Sequence, residues 1–120
     1  MNAQSDPTPI WLVSGGHVLC SARLASNRVQ RRKGLRGTDS ASEPLVIERC
    51  RWVHSIGMSY PIDVAFLDAN NSVVAIHHLP PWRVDRPVKN AVRVIEAHAG
   101  SFARWPLRVG DIVEVRHVSR

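Results

Sequence analysis

The chain has 120 residues, which is enough for one domain with its own hydrophobic core. Hydrophobic residues make up 44% of it and charged residues 22%, so the composition excludes a largely disordered chain. The formal net charge of +6 admits nucleic acid or an acidic protein as a partner, provided that the positive residues cluster.

No apolar run in the sequence reaches the roughly 18 residues that a membrane span requires, and the polar N-terminus lacks the features of a signal peptide. We therefore predict a soluble, cytoplasmic monomer without a membrane span. In a reducing compartment, Cys20 and Cys50 would remain thiols.

The first third of the chain predicts a tail, a hairpin and a helix. Residues 1–9 hold prolines among small polar residues, which is typical of a disordered tail, and residues 10–120 form the predicted single domain. Short β-prone runs at 10–13 and 17–24 flank a Gly-Gly pair and predict a β-hairpin. Helix-forming residues then predict one short helix near residues 25–34.

The remaining chain is dominated by β-prone runs, at residues 45–48, 52–56, 62–68, 73–79, 91–99 and 111–118. Three prolines make the connection over residues 80–89 stiff and irregular. Many short strands and one helix predict a mainly β fold, either an antiparallel β-sandwich or a partly closed barrel. The sequence contains no βαβ alternation and no Gly-rich phosphate loop, which disfavours the common kinds of nucleotide chemistry.

Cys50, His54 and Met58 are soft metal ligands that follow one another at intervals of four residues. In an extended strand, residues four apart stand roughly 13 Å from one another, which is too far to share a metal ion. No CxxC or HxxxH pattern in the sequence supplies further ligands. We therefore expect neither a metal nor any other cofactor.

Asp63 is a carboxylate inside an otherwise apolar strand, "PIDVAFLD", whose composition predicts burial of both faces. A buried charge of this kind needs a partner. If Gly57 to Tyr60 forms the loop of a hairpin, His54 lies opposite Asp63. Such a pair is either a structural polar lock or a catalytic base with its orienting group, so His54 and Asp63 are the candidate catalytic residues.

One dense basic cluster coincides with the predicted helix and consists of Arg28, Arg31, Arg32, Lys33 and Arg36. The cluster is either a solvated helix face or a phosphate-binding surface for nucleic acid or an acidic partner. No aromatic residue lies among these arginines in the sequence, so the stacking platform of a single-strand binder is missing there.

The stretch "VHSIGMSYPIDVAFLD" at residues 53–68 resembles the signature of DUF192, a family of small prokaryotic proteins. Four further segments are similar to family motifs in the same order: "RRKGLRG", "LPPWR", "VIEAHAG" and "VGDIVEV". The sequence departs from the family pattern at Arg36, Ile56 and Ser59, where the family usually has methionine, an aromatic residue and a basic residue. The resemblance implies a β-rich, sandwich-like fold and no settled biochemical role.

The candidate binding residues at the positions that the resemblance singles out are His54, Met58, Asp63, Trp82 and Arg83. We expect a non-catalytic domain that binds a small ligand or a protein partner on a concave surface. One alternative is a hydrolytic or proton-transfer enzyme that uses His54 and Asp63. The other is a binder of nucleic acid or of an acidic partner that uses the cluster from Arg28 to Arg36.

Overall fold

The described part of the chain forms seven β-strands and two short helices. The computed structural model describes residues 6–39 and 42–118. In chain order the elements are β1 (Thr8–Ser14), β2 (His17–Ala25), α1 (Arg28–Lys33), β3 (Leu45–Glu48), β4 (Ile62–Leu67), β5 (Val73–Leu79), β6 (Arg93–His98), α2 (Ser101–Arg104) and β7 (Glu114–His117). The prediction of a mainly β fold is confirmed. Within the described residues, neither helix is long and apolar enough to cross a membrane.

All seven strands form one sheet in the order β5-β4-β6-β3-β2-β1-β7. The two outer strands approach each other at one end, where Ser72 and Ile112 form an isolated antiparallel bridge. There the Val73 N–H donates to Asp111 O at 2.8 Å, and the Gly110 N–H donates to Val73 O at 2.8 Å. The sheet is thus a partly closed barrel, since these few bonds do not close it along its whole length.

One pairing in the sheet is parallel, whereas the sequence predicted antiparallel pairing throughout. β2 and β3 run parallel, with Arg23 opposite Leu45 and Ala25 opposite Ile47. The reason is the connection between them: the chain passes through α1 before β3 begins, and a crossover of this kind produces parallel neighbours. The crossover also places the end of α1 over one face of the sheet, where Gly34 lies close to the Ile47 side chain.

Both faces of the sheet carry a hydrophobic cluster, because alternate residues of a strand point to opposite faces. On β4, Ile62, Val64 and Phe66 belong to one cluster, while Ala65 and Leu67 belong to the other. All five side chains are buried. The apolar composition of this strand had predicted its burial on both faces.

Residues 52–56 do not form a strand beside β4, which corrects the prediction. β5 and β6 already occupy both edges of β4, so no edge remains to which another strand could hydrogen-bond. The segment pairs with the proline-rich connection at 80–89 instead, through an isolated bridge between His54 and Val84. The chain from 49 to 61 is therefore a loop outside the sheet, called loop 49–61 below.

The predicted disordered tail is too long, because Thr8 and Pro9 already pair with Leu24 and Arg23 in the first hairpin. The rest of that prediction falls largely outside the described residues. The sequence predicted one helix, and the structure contains a second one, the four-residue helix α2.

The helix α1 lies within the predicted range and has a defined start and end. Asn27 is its N-cap, and Asn27 Oδ1 accepts a hydrogen bond from the Gln30 N–H at 2.8 Å. At the other end the Gly34 N–H donates to Gln30 O at 3.1 Å. Gly34 has a φ of 55°, which glycine adopts without the strain that a side chain would cause.

We expect Asn27→Ala to lower the free energy of unfolding by about 1 kcal/mol, because the Gln30 N–H loses its side-chain acceptor. Asn27→Ser keeps an acceptor at this position and should stay within about 0.5 kcal/mol of the wild type. Urea unfolding followed by circular dichroism measures both values. Equal losses in the two variants would contradict the capping role.

Candidate functional site

A cavity of about 310 Å³ lies between α1 and loop 49–61, and residues of β3, β4 and β6 complete its wall. We call it the arginine cavity because of the basic residues that line it: Arg28, Arg31, Arg32, Lys33, Arg36 and Arg49. The first five are the basic cluster identified in the sequence. The structure therefore gathers that cluster around one concavity.

The basic residues of the arginine cavity differ in what they contact. Arg36 is held by the backbone, because its Nε donates to Lys33 O at 3.3 Å and its Nη2 donates to Arg32 O at 3.1 Å. Arg31 has a buried Nε that finds no hydrogen-bond partner in the part of the chain that the structure describes. Since an unpaired buried donor is unfavourable, the Arg31 guanidinium is held less completely by the protein than that of Arg36.

Glu96 on β6 is the acidic residue of the cavity wall, and only 4% of it is exposed. It accepts a hydrogen bond from the Leu35 backbone N–H. The ion pairs among the described residues do not include it. Burial raises the pKa of Glu96 to about 7, and the Leu35 N–H opposes this shift. Glu96 thus exchanges its proton near neutral pH within a basic cavity.

The sequence analysis missed Glu96, although a signal was present. The residue interrupts an apolar strand, "VIEA", in the same way that Asp63 interrupts "PIDVAF". The surroundings of Glu96 come from a tertiary contact between β6 and the residue that follows α1. A Cβ atom built on Gly34 would lie 3.1 Å from Glu96 Oε1. That contact joins segments more than 60 residues apart, so no local pattern predicts it.

Cys50, His54 and Met58 all line the arginine cavity. Met58 is buried in the hydrophobic cluster on this side of the sheet. The Cys50 thiol donates to Trp52 O at 3.1 Å, and burial raises its pKa. His54 Nδ1 accepts a hydrogen bond from the Ile56 N–H at 3.2 Å. In residues 6–39 and 42–118, no three His, Cys, Asp or Glu side chains converge as metal ligands would.

Asp63 does not face His54, so the predicted pairing is wrong. In the sheet Asp63 stands opposite His78 on β5 and Ala97 on β6. Its Oδ1 lies 3.3 Å from His78 Nδ1, and its Oδ2 accepts a hydrogen bond from the Gly100 N–H at 2.9 Å. The carboxylate holds the turn between β6 and α2, and it is not among the residues that line the arginine cavity. The cause is the register of β4, which its two neighbouring strands set.

Trp82 and Arg83 are exposed and are not among the residues that line the arginine cavity. A different tryptophan, Trp52, lines it and is 43% exposed. Its Nε1 donates to Asp85 O at 2.6 Å. The structure therefore places an aromatic side chain beside the basic cluster, which the order of residues in the sequence did not predict.

The proline-rich connection that holds Trp52 is itself tied to the sheet. His77 Nδ1 on β5 lies 2.6 Å from Asp85 Oδ2, and the His77 ring packs on Phe66 with ring centroids 4.8 Å apart. The Arg83 N–H donates to Ser55 Oγ at 2.9 Å, which joins the connection to loop 49–61. These contacts fix the outer wall of the arginine cavity.

The sequence from residue 10 to residue 115 matches the model of the DUF192 family, described as uncharacterized ACR. The chain belongs to this family. This DUF192 domain is similar to UPF0127 proteins of Pyrococcus abyssi, at 42% identity over 62 residues, and of Pyrococcus furiosus, at 37% over 62 residues. Each match covers 52% of this chain and 53% of the relative, so it spans about half the length of these curated proteins.

Two crystal structures share the fold of this DUF192 domain. A protein of unknown function from Novosphingobium aromaticivorans has a TM-score of 0.71 at 21% identity, over 88% of this chain and 83% of that one. A "putative transcription regulator" from Sinorhizobium meliloti has a TM-score of 0.63 at 18% identity, over 89% of this chain and 92% of that one. At these identities the likeness concerns the fold alone. The family has no assigned function, and no catalytic function is evident from these relatives.

Glu96→Gln should change how stability depends on pH. The pKa of Glu96 in the folded state, about 7, lies above the ordinary value of 4.5, so the stability that the neutral group contributes is complete below pH 4.5 and is lost as the pH rises through 7. Relative to Glu96→Gln, the wild type should lose roughly 2 to 3 kcal/mol of unfolding free energy between pH 5 and pH 8. Urea unfolding at both pH values measures this, and a constant difference would contradict the raised pKa.

Asp63→Ala should lower the free energy of unfolding by about 1 to 2 kcal/mol, because the Gly100 N–H loses a charged acceptor. His78→Ala should lower it by less than about 1 kcal/mol, since the ring is largely exposed and surface ion pairs contribute little. Guanidinium unfolding of both variants provides the comparison. A larger loss in His78→Ala would show that the ion pair, and not the turn, is what Asp63 stabilises.

Proposed function

We propose that this DUF192 domain binds a small anionic ligand in the arginine cavity and does not transform it. The observation that carries the proposal is Arg31, which lines the cavity and whose buried Nε has no hydrogen-bond partner among the described residues. A phosphate or carboxylate oxygen in the cavity would accept charge-assisted hydrogen bonds from the Arg31 guanidinium.

The charge of the cavity wall favours an anion. Six basic residues line the arginine cavity against one acidic residue, Glu96. Among the described residues, the arginines that form ion pairs with glutamates are Arg23, Arg93 and Arg116, and none of these three lines the cavity. These arginine–glutamate pairs therefore neutralise none of the positive charge of the wall.

The size and the remaining lining of the arginine cavity favour a small molecule. Its volume of about 310 Å³ is at the lower end of the range of ligand pockets. Ile47, Val53, Met58 and Ile62 form an apolar part of the wall. Apolar walls with a few well-placed polar groups are typical of small-molecule sites.

The contacts of the reactive side chains favour binding over catalysis. The pairing of His54 with Asp63, on which the enzymatic alternative depended, is replaced by other contacts of both residues. Burial raises the pKa of the Cys50 thiol, which keeps it protonated and weakly nucleophilic. These observations support a binding domain.

Nucleic acid is the second candidate ligand, because Trp52 and the basic cluster share one surface. Aromatic stacking surfaces beside basic residues are what single-strand binders combine. Such binders, however, follow the nucleic-acid backbone along a groove that extends over several nucleotides. The arginine cavity, with a volume of about 310 Å³, is small for such a groove and therefore favours the small ligand.

Isothermal titration calorimetry with inorganic phosphate tests the proposal. We expect Arg31→Gln to weaken phosphate binding by about tenfold or more, because a hydrogen bond to a charged group contributes about 1.5 to 3 kcal/mol. Arg108→Gln is the matched control, since it removes the same charge from an exposed residue that does not line the cavity. It should change the affinity by less than about twofold.

Absence of phosphate binding, or equal losses in the two variants, would contradict the proposal. A titration with a single-stranded oligonucleotide completes the experiment. Affinity for the oligonucleotide that depends on Arg31 and falls steeply with salt would favour the nucleic-acid alternative.

A further inference from the structure

We infer that the ligand of the arginine cavity is a hydroxylated phosphate, a small molecule whose phosphate contacts the arginines while a hydroxyl group hydrogen-bonds to Glu96. The inference rests on the proposed function and adds the chemical class of the ligand. It is carried by a buried carboxyl group in the wall of a basic cavity.

Glu96 has capacity for a further hydrogen-bond partner. Its carboxyl group accepts from the Leu35 N–H, and the ion pairs of the described residues do not involve it. A carboxylate offers about four acceptor positions. A hydroxyl group that enters the cavity would fill one of the positions that remain.

Gly34, directly after α1, leaves space beside this carboxyl group in the wall of the arginine cavity. Gly34 has no side chain, and a Cβ atom there would stand 3.1 Å from Glu96 Oε1. Glu96 and Arg31 line the same cavity, the first from β6 and the second from α1. A ligand between them meets a carboxyl group on one side and a guanidinium group on the other.

The imbalance of charge favours phosphate over a carboxylate. Six basic residues in the wall face one carboxyl group. A phosphate monoester carries about 1.5 to 2 negative charges at neutral pH and three strong acceptor oxygens, whereas a carboxylate carries one charge and two oxygens. Arginine side chains can also bind a phosphate through two parallel hydrogen bonds.

The protonation of Glu96 favours a hydroxyl over an ammonium group. Burial raises the pKa of Glu96 to about 7, so both protonation states are populated at neutral pH. A hydroxyl group donates and accepts, and therefore matches either state, whereas an ammonium group only donates. The basic residues of the same wall also repel a cation.

The test compares two phosphate monoesters of similar size, one with hydroxyl groups and one without. Calorimetry at pH 7 gives the affinities of the wild type for glycerol 3-phosphate and for propyl phosphate. We expect glycerol 3-phosphate to bind about tenfold more tightly, since one hydrogen bond to a buried charged group is of this size. The ratio should fall below about threefold in Glu96→Leu and be retained in Glu96→Gln, which keeps an acceptor.

A second measurement on the wild type makes the result independent of how well Glu96→Leu folds. The carbon-13 NMR signal of the Glu96 carboxyl group should shift on addition of glycerol 3-phosphate and much less on addition of propyl phosphate. Equal affinities for the two esters together with equal NMR shifts would overturn the inference. If both esters nevertheless bind in a manner that depends on Arg31, the proposed anion site stands. If neither ester binds, the proposed function fails as well.

Discussion

The hydrogen bonding of β4 on both edges is the constraint on which the rest of the structure depends. β5 and β6 pair with it along its length, and both of its faces are buried. No further segment can join it, so loop 49–61, which precedes it, is excluded from the sheet. The loop packs opposite α1 instead, and the arginine cavity is the space between them. The site thus follows from the pairing of β4 on both of its edges.

Asp63 and Glu96 are both carboxylates within apolar strands, but they differ in how many hydrogen-bond partners the fold provides. Asp63 accepts from the Gly100 N–H and contacts His78, so both of its carboxylate oxygens have partners at the end of β4. Glu96 is more deeply buried, receives one backbone N–H and has a pKa raised to about 7. The same sequence pattern therefore occurs at a structural carboxylate, Asp63, and at a candidate site residue, Glu96. The number of hydrogen-bond donors that the fold brings to each carboxyl group distinguishes the two.

The segments that resemble DUF192 motifs have different roles in the fold. Three of them meet at the arginine cavity: "RRKGLRG" supplies four of the six basic residues, "VHSIGMSYPIDVAFLD" supplies His54 and Met58, and "VIEAHAG" supplies Glu96. The "LPPWR" segment contributes no lining residue but belongs to the connection that holds loop 49–61 through Ser55. The convergence of three motifs on one cavity is consistent with a binding role for this surface.

The sequence by itself determined the mainly β character, the hairpin of β1 and β2, and α1, because hydrophobic periodicity and turn residues act over short distances. It also singled out the basic cluster, His54 and Met58 as residues of interest. Only the tertiary structure decided that these residues share one cavity, that Trp52 and Glu96 join them, and that Asp63 does not. These outcomes depend on strand order and on the register of β4, which hydrogen bonds between distant segments set and which a shift of one residue would invert.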